Sequence, residues 1–283
     1  MKILTAKTGL CLLIVWACLM PACRARKKPV FEPSLEEART FVASGEYERA
    51  IDAYQAAAKT FPGERAVLAD YVMALEGMGS RADRILAAGD FKTAERIYVL
   101  LLNAYPRFKE LQLPLSFAQP WLNRKIRESR FGRAEMEARR AFESGDFQKA
   151  LEAYGNFAPA DFEAANQVDR FKKIIEEVKQ QADSAVAAGD FVRAGKAYAA
   201  LIKSYPRLQE LDLPLALLQS QLEEGLENCR TMLTRKGLEE YRKGNLALAI
   251  AQWEELLEFD PDNAEIRKAV ETAIDQQKKL RKK

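Results

Sequence analysis

Five times in 283 residues a glycine is followed five positions on by alanine and nine positions on by an aromatic residue. The sets are Gly45/Ala50/Tyr54, Gly89/Ala94/Tyr98, Gly145/Ala150/Tyr154, Gly189/Ala194/Tyr198 and Gly244/Ala249/Trp253. A spacing kept this strictly marks one supersecondary unit used repeatedly. Such units bury their apolar faces on one another and stack into an array. The pattern therefore points to a helical scaffold rather than a catalytic domain.

Each element of the recurrence has a helical role. Glycine suits the left-handed position that ends a helix, and the next residue (Glu46, Asp90, Asp146, Asp190 or Asn245) is in most copies a good N-cap for a second helix. The result is a tight helical hairpin. The alanine falls where two helices approach closely, and the aromatic residue lies one turn on along the same face. Proline follows eight residues later at Pro62, Pro106, Pro206 and Pro261, which predicts the end of the second helix. The third copy carries Pro159 earlier instead. Ser34-Leu35-Glu36-Glu37 reads as a capping box that starts the first helix, which runs to Ser44.

Successive glycines are 44, 56, 44 and 55 residues apart, so a larger unit of about one hundred residues is duplicated. Ala88-Gly89-Asp90-Phe91 recurs as Ala188-Gly189-Asp190-Phe191, and Leu113-Pro114-Leu115 recurs as Leu213-Pro214-Leu215. The leucines of these connectors either seal the hairpin ends or form a contact site. Long helices are expected over 120–144, 162–188 and 216–243. Residues 264–283, with Ile266, Val270 and Ile274 on an otherwise polar helix, have the pattern of a terminal cap.

With these positions assigned, the chain resembles the tetratricopeptide repeat. Ala38, Ala82, Ala138, Ala182 and Gly237 match the small residue of its first helix, and the glycine, alanine, aromatic and proline positions match as quoted. The fifth copy, Gly237-Leu238-Glu239-Glu240-Tyr241 through Trp253 to Phe259-Asp260-Pro261, is the closest. The resemblance covers residues 34–283, with spacings longer than the family's period. It implies an all-α, tetratricopeptide-like α-solenoid, a right-handed superhelix in which long first helices alternate with shorter second ones. It also implies a concave groove, lined by first helices, that takes a peptide, a helix or another protein. Position matching gives Asp83, Arg139, Glu143, Lys179, Asp183, Thr234 and Arg242 as groove candidates, each also readable as part of a solvated polar face.

The residue inventory excludes much chemistry. Histidine is absent, which removes the commonest general base and the commonest metal ligand. Lysine plus arginine is 44 against 41 acidic residues, so there is no bulk attraction for nucleic acid. The basic run Lys278-Lys279-Leu280-Arg281-Lys282-Lys283 reads as a short solvated tail. Gly77-Met78-Gly79 reads as a helix break rather than a phosphate loop, since no strand precedes it. Adjacent acids such as Glu176-Glu177 and Glu223-Glu224 point to different sides of a helix and form no acid–base pair. Cys229 reads as a small buried hydrophobe with no histidine to activate it. The expectation is a protein that is not an enzyme and has no cofactor or metal.

The first segment sets the expected location. Lys2 and Lys7 precede the apolar run from Thr8 to Met20, and Met20-Pro21-Ala22-Cys23 closes it, the layout of an export signal over 1–22. It resembles a bacterial lipoprotein signal, in which a small residue precedes the lipidated cysteine. Cys23 fits that role, and Val15-Trp16-Ala17-Cys18 is the rival box. Residues 23–33 would then be a lipidated tether that includes Arg24-Ala25-Arg26-Lys27-Lys28. Arginine rather than aspartate after Cys23 implies, by the same resemblance, an outer-membrane anchor facing the periplasm. The sequence-level reading is a lipid-anchored interaction scaffold with envelope protein partners and no nucleic acid, in an assembly, secretion or pilus complex. The alternative is a ligand-binding or enzyme-accessory lipoprotein that holds a peptide or glycan fragment in the groove.

Overall fold

The computed structural model describes residues 30–155, 157, 165–210 and 217–281. The signal segment, Cys23 and its tether, Pro159, most of the second Leu-Pro-Leu connector and the last two lysines lie outside the described residues. Five hairpins follow one another: α1 (Glu32–Ser44) with α2 (Tyr47–Thr60), α3 (Arg65–Ala87) with α4 (Phe91–Glu110), α5 (Gln119–Glu143) with α6 (Phe147–Glu152), α7 (Ala165–Ala188) with α8 (Phe191–Glu210), and α9 (Gln219–Arg242) with α10 (Leu246–Leu257). The helix α11 (Ala264–Arg281) closes the array, and no strand occurs among the described residues. Besides packing within hairpins, first helices touch first helices (α1–α3, α5–α7) and second helices touch second helices (α2–α4, α6–α8, α8–α10). The chain thus forms the two layers of an α-solenoid.

The reversals share one geometry. Gly45, Gly89, Gly145, Gly189 and Gly244 have φ between 76° and 83°. At the second turn the Gly89 amide donates to the Leu86 carbonyl at 3.0 Å and the Asp90 amide to the Ile85 carbonyl at 3.2 Å, and the other four repeat this pair of bonds. A Cβ on any of the five glycines would meet nothing within 4 Å, so the left-handed backbone rather than lack of space requires the residue. The next residue then opens the second helix. Oδ1 of Asp90, Asp146 and Asp190 each accepts the amide three residues on at 3.1 Å. Glu46 does not cap, because its longer side chain turns to Arg49 and Ser44. Asn245 instead donates to Glu240 at 2.7 Å.

Small and large side chains interlock behind these turns. Ala38, Ala50, Ala82, Ala94, Ala138, Ala150, Ala182, Ala194 and Ala249 are all fully buried, and Tyr54, Tyr98, Tyr154, Tyr198 and Trp253 lie in the core beside them. The fifth copy shows why the small position is glycine there: a Cβ on Gly237 would stand 2.2 Å from Nε1 of Trp253, the bulkiest of the five rings. The apolar interior divides into two clusters, one from Leu35 to Ile126 and one from Phe131 to Ala273. The helix α5 belongs to both. Between them the buried Ser129 hydroxyl donates back to the Lys125 carbonyl at 2.8 Å, and the Phe91 ring lies against Gly132 so closely that a Cβ there would be 2.2 Å from it.

Several sequence expectations are corrected. The helix α1 starts at Glu32, with Phe31 at the N-cap and Pro33 in the first turn, so the Ser34–Glu37 capping box does not form. Proline in a first turn needs no amide partner and already has a helical φ, which moves the start upstream. Pro106 and Pro206 do not stop their helices, which continue to Glu110 and Glu210. Each proline removes the bond to the carbonyl four residues back, but Phe108 and Leu208 are buried in the following turn and hold it on the core. Gly77-Met78-Gly79 is not a break: it lies inside α3, where Met78 is buried and the Phe117 ring packs over Gly79. In the first hairpin the first helix is not the longer one, with 13 residues against 14. Long helices form near the expected stretches, with α5, α7 and α9 of 24 or 25 residues, and α11 packs on α10 with Ile266 and Val270 buried.

Two glycine substitutions separate these roles. Gly237→Ala must displace the Trp253 indole and lower unfolding stability by about 1–3 kcal/mol. Gly77→Ala enters open space on a helix and raises stability by roughly 0.5–1 kcal/mol. Urea unfolding of both variants measures the contrast, and equal effects would refute the packing described.

Candidate protein-docking cleft

The first-helix layer carries a cleft of about 740 Å³. Its floor is the stretch of α5 from Trp121 to Gly132. The last turn of α3 and Phe91 flank one side, and Gln167 and Arg170 of α7 the other. Trp121, Arg124, Lys125 and Glu128 fall at helical spacing on one face of α5, which brings an aromatic ring and three charges together.

These side chains are tied to the tyrosine that marks the repeat. Tyr98 donates its hydroxyl to Oδ1 of Asp83 at 2.8 Å, and Nζ of Lys125 lies 3.2 Å from both Asp83 and Glu128. The ammonium is also 5.8 Å from the Trp121 ring centre, while Trp121 meets Tyr98 edge-on and stacks on Phe117. Burial disfavours the charge on Lys125, but the hydrogen bonds to Asp83 and Glu128 outweigh it and raise the lysine's pKa. Burial, reinforced by the Asp83 carboxylate, also pushes the Tyr98 hydroxyl above the ordinary tyrosine range. Across the cleft, Arg170 pairs with Glu135 at 2.9 Å. Arg124 is exposed and has no ion-pair partner among the described residues.

Of the seven groove candidates, Asp83 alone lines this cleft. Asp183 occupies the equivalent place one hundred residues on: it accepts the Tyr198 hydroxyl at 2.7 Å and pairs with Lys179 at 2.7 Å, so these two candidates satisfy each other. Arg139 reaches Glu177 at 2.6 Å and ties α5 to α7. The carbonyl of half-buried Thr234 accepts the Trp253 indole at 3.4 Å. Glu143 and Arg242 are exposed at the ends of α5 and α9. Sequence reasoning missed Trp121, Arg124, Lys125, Glu128 and Arg170. The available signal was the density of arginine and lysine around one tryptophan in the first half of α5.

Other features carry less chemistry. Leu111, Leu113 and Leu115 of the first connector are half-buried against the first core, and Ser116 bonds Glu76 through both amide and hydroxyl at 2.5 Å, so this connector seals its hairpin. Cys229 is fully buried, and burial pushes its thiol up to about 11. Among the described residues no group of three or more acidic, cysteine or histidine side chains is placed to hold a metal, and no helix is long and apolar enough to cross a membrane.

The tyrosines offer an internal test. Tyr154 is buried like the others, but its hydroxyl has no hydrogen-bond partner, because the place of Asp83 and Asp183 is taken by Arg139. Tyr98→Phe and Tyr198→Phe should each cost about 1–2 kcal/mol through loss of a hydrogen bond to a carboxylate, whereas Tyr154→Phe should be neutral or slightly stabilising. Chemical denaturation of the three variants checks this, and a comparable loss in Tyr154→Phe would contradict the bonding assigned.

Tetratricopeptide-repeat family models match the chain over residues 35–79 and again over 180–207. The first span takes in most of α1, all of α2 and the first part of α3, and the second joins the end of α7 to most of α8. No curated protein matches the chain. The hairpin turns, the buried small and aromatic positions and these two matches agree: the chain folds as an all-α, tetratricopeptide-like solenoid.

Proposed function

We propose that this protein is a non-enzymatic interaction scaffold of the bacterial cell envelope, anchored to a membrane by lipid on Cys23 and docking a partner protein in the cleft floored by α5. The observation that carries the docking reading is the cleft itself. Six of the side chains that line it are charged, and they lie on the layer of first helices that tetratricopeptide proteins use for partners. A surface of this composition suits a protein segment better than a small apolar ligand, whose sites are lined mainly by hydrophobic groups. The anchor rests on the order basic residues, apolar run, Ala22-Cys23 in the sequence. The anchor would hold the scaffold at a surface, where the effective concentration for a co-localised partner in an assembly, secretion or pilus complex rises.

A photoreactive residue at Arg124 should crosslink to another protein in cells, and one at exposed Lys59 of α2, on the second-helix layer, should not. Mass spectrometry of the adducts reads the result. Cys23→Ala should move the chain from the membrane to the soluble fraction. Crosslinks from Lys59 alone would refute the docking face, and retention of Cys23→Ala in the membrane would refute the anchor.

A further inference from the structure

The cleft lies at the seam between the two apolar cores. Asp83 and Phe91 come from helices of the first core, Arg170 from a helix of the second, and α5, which carries Phe131, runs between them. An occupant that touches both sides would therefore clasp two bodies that α5 joins. Of the charges that line the cleft, Arg170 is held by Glu135 at 2.9 Å, and the two carboxylates are Asp83 and Glu128. Both carboxylates already bind Lys125. Arg124, one helical turn from the Trp121 ring, is exposed and carries no counter-charge among the described residues. A guanidinium of this kind presents a planar fork of donors that matches a carboxylate, and the Trp121 indole, which already meets Tyr98 and Phe117, lines the cleft beside it and can take a further ring.

Resting on the docking reading above, we infer that the cleft takes an internal acidic segment of its partner, with side-chain carboxylates on the Arg124 side and an aromatic residue beside Trp121. The carboxylates come from aspartate or glutamate within the segment rather than from a chain terminus. The contacts span the seam, so binding stabilises the two cores together.

The test uses the full chain and a fluorescent peptide of about twelve residues, acetylated and amidated, with four glutamates around one tryptophan. Fluorescence anisotropy should give an affinity at least about tenfold higher than for the same peptide with glutamine at the four positions, and the difference should shrink as salt rises. Arg124→Glu should weaken the glutamate peptide about five- to tenfold and leave the melting temperature of the free protein unchanged, since Arg124 supports nothing in the fold. Saturating glutamate peptide should raise that melting temperature in the native chain. Equal binding of the glutamine peptide would overturn the inference. So would a preference that appears only with a free C-terminal carboxylate, tighter binding of a dT oligonucleotide of similar length, or an Arg124→Glu variant that binds normally. If Arg124 crosslinks a partner in cells while the two peptides bind alike, the acidic segment is wrong and the docking face stands. If Arg124 captures no protein while Lys59 does, the docking face itself fails.

Discussion

A turn of two or three residues with a left-handed glycine sets the geometry of every hairpin, and in three of the five the residue after that glycine serves both helices. The amide of Asp90 closes α3 by reaching the Ile85 carbonyl, and its carboxylate opens α4 by accepting the Thr93 amide. One residue thus satisfies orphan backbone groups on both sides of a reversal. Because so few residues separate the helices, the chain must return against the helix it has just left. Side chains near the turn then have little room, and Ala82 and Ala94, on opposite arms of that hairpin, are both fully buried. The hydrogen bond from Thr93 also holds the Asp90 carboxyl below its usual range. A group with a depressed native pKa contributes stability above its unfolded pKa and loses it as pH falls through the native value. Acid therefore loosens this turn by protonating its cap.

Close approach fixes volume before it fixes identity. Four copies combine alanine in the first helix with tyrosine in the second, while the fifth combines Gly237 with Trp253. The larger ring is accommodated by removing a methyl group from the facing helix, as the 2.2 Å distance to a hypothetical Cβ shows. The tyrosine hydroxyls are then an added requirement of burial. Tyr98 and Tyr198 find Asp83 and Asp183, and Tyr54 finds Asp70, which Arg39 also holds at 2.9 Å. Trp253 has no hydroxyl, and Leu238 stands where the aspartates would be. The same tyrosine–aspartate pair recurs in the second and fourth copies and is missing at Tyr154, which is how the hundred-residue duplication becomes visible in side-chain chemistry as well as in spacing.

Features set by local sequence were legible beforehand, and those set by distant neighbours were not. Gly45 through Gly244 and the caps at Asp90, Asp146 and Asp190 depend on residues within one turn of themselves, so their spacing sufficed. Pro106 and Pro206 were misread because the local rule, that proline ends a helix, was outweighed by Phe108 and Leu208 anchoring the next turn in a core built elsewhere in the chain. Gly77 and Gly79 were misread for a similar reason: Phe117, thirty-eight residues on, packs over Gly79. The cleft was least legible of all. It exists only where α3, α5 and α7 come together, and position matching alone picked side chains such as Lys179 and Asp183 that satisfy each other.

The helix α5 shows how such an array can be continuous and still divided. Its first half contributes Leu122 and Ile126 to one core, and its second half contributes Phe131, Ala134 and Ala138 to the other. Between them come Ser129, whose hydroxyl is absorbed by its own helix, and Gly132, pressed by the Phe91 ring from α4. On the flank, Arg130 and Arg133 both hold Glu95 of α4, at 2.7 and 2.8 Å. Polar and steric contacts to α4 therefore fix α5 at the point where apolar continuity is interrupted. Nearest-neighbour coupling governs stability in repeat arrays, so this helix transmits order between the halves. The cleft lies over the same stretch, where an occupant's contacts add to the coupling that the apolar cores leave thin.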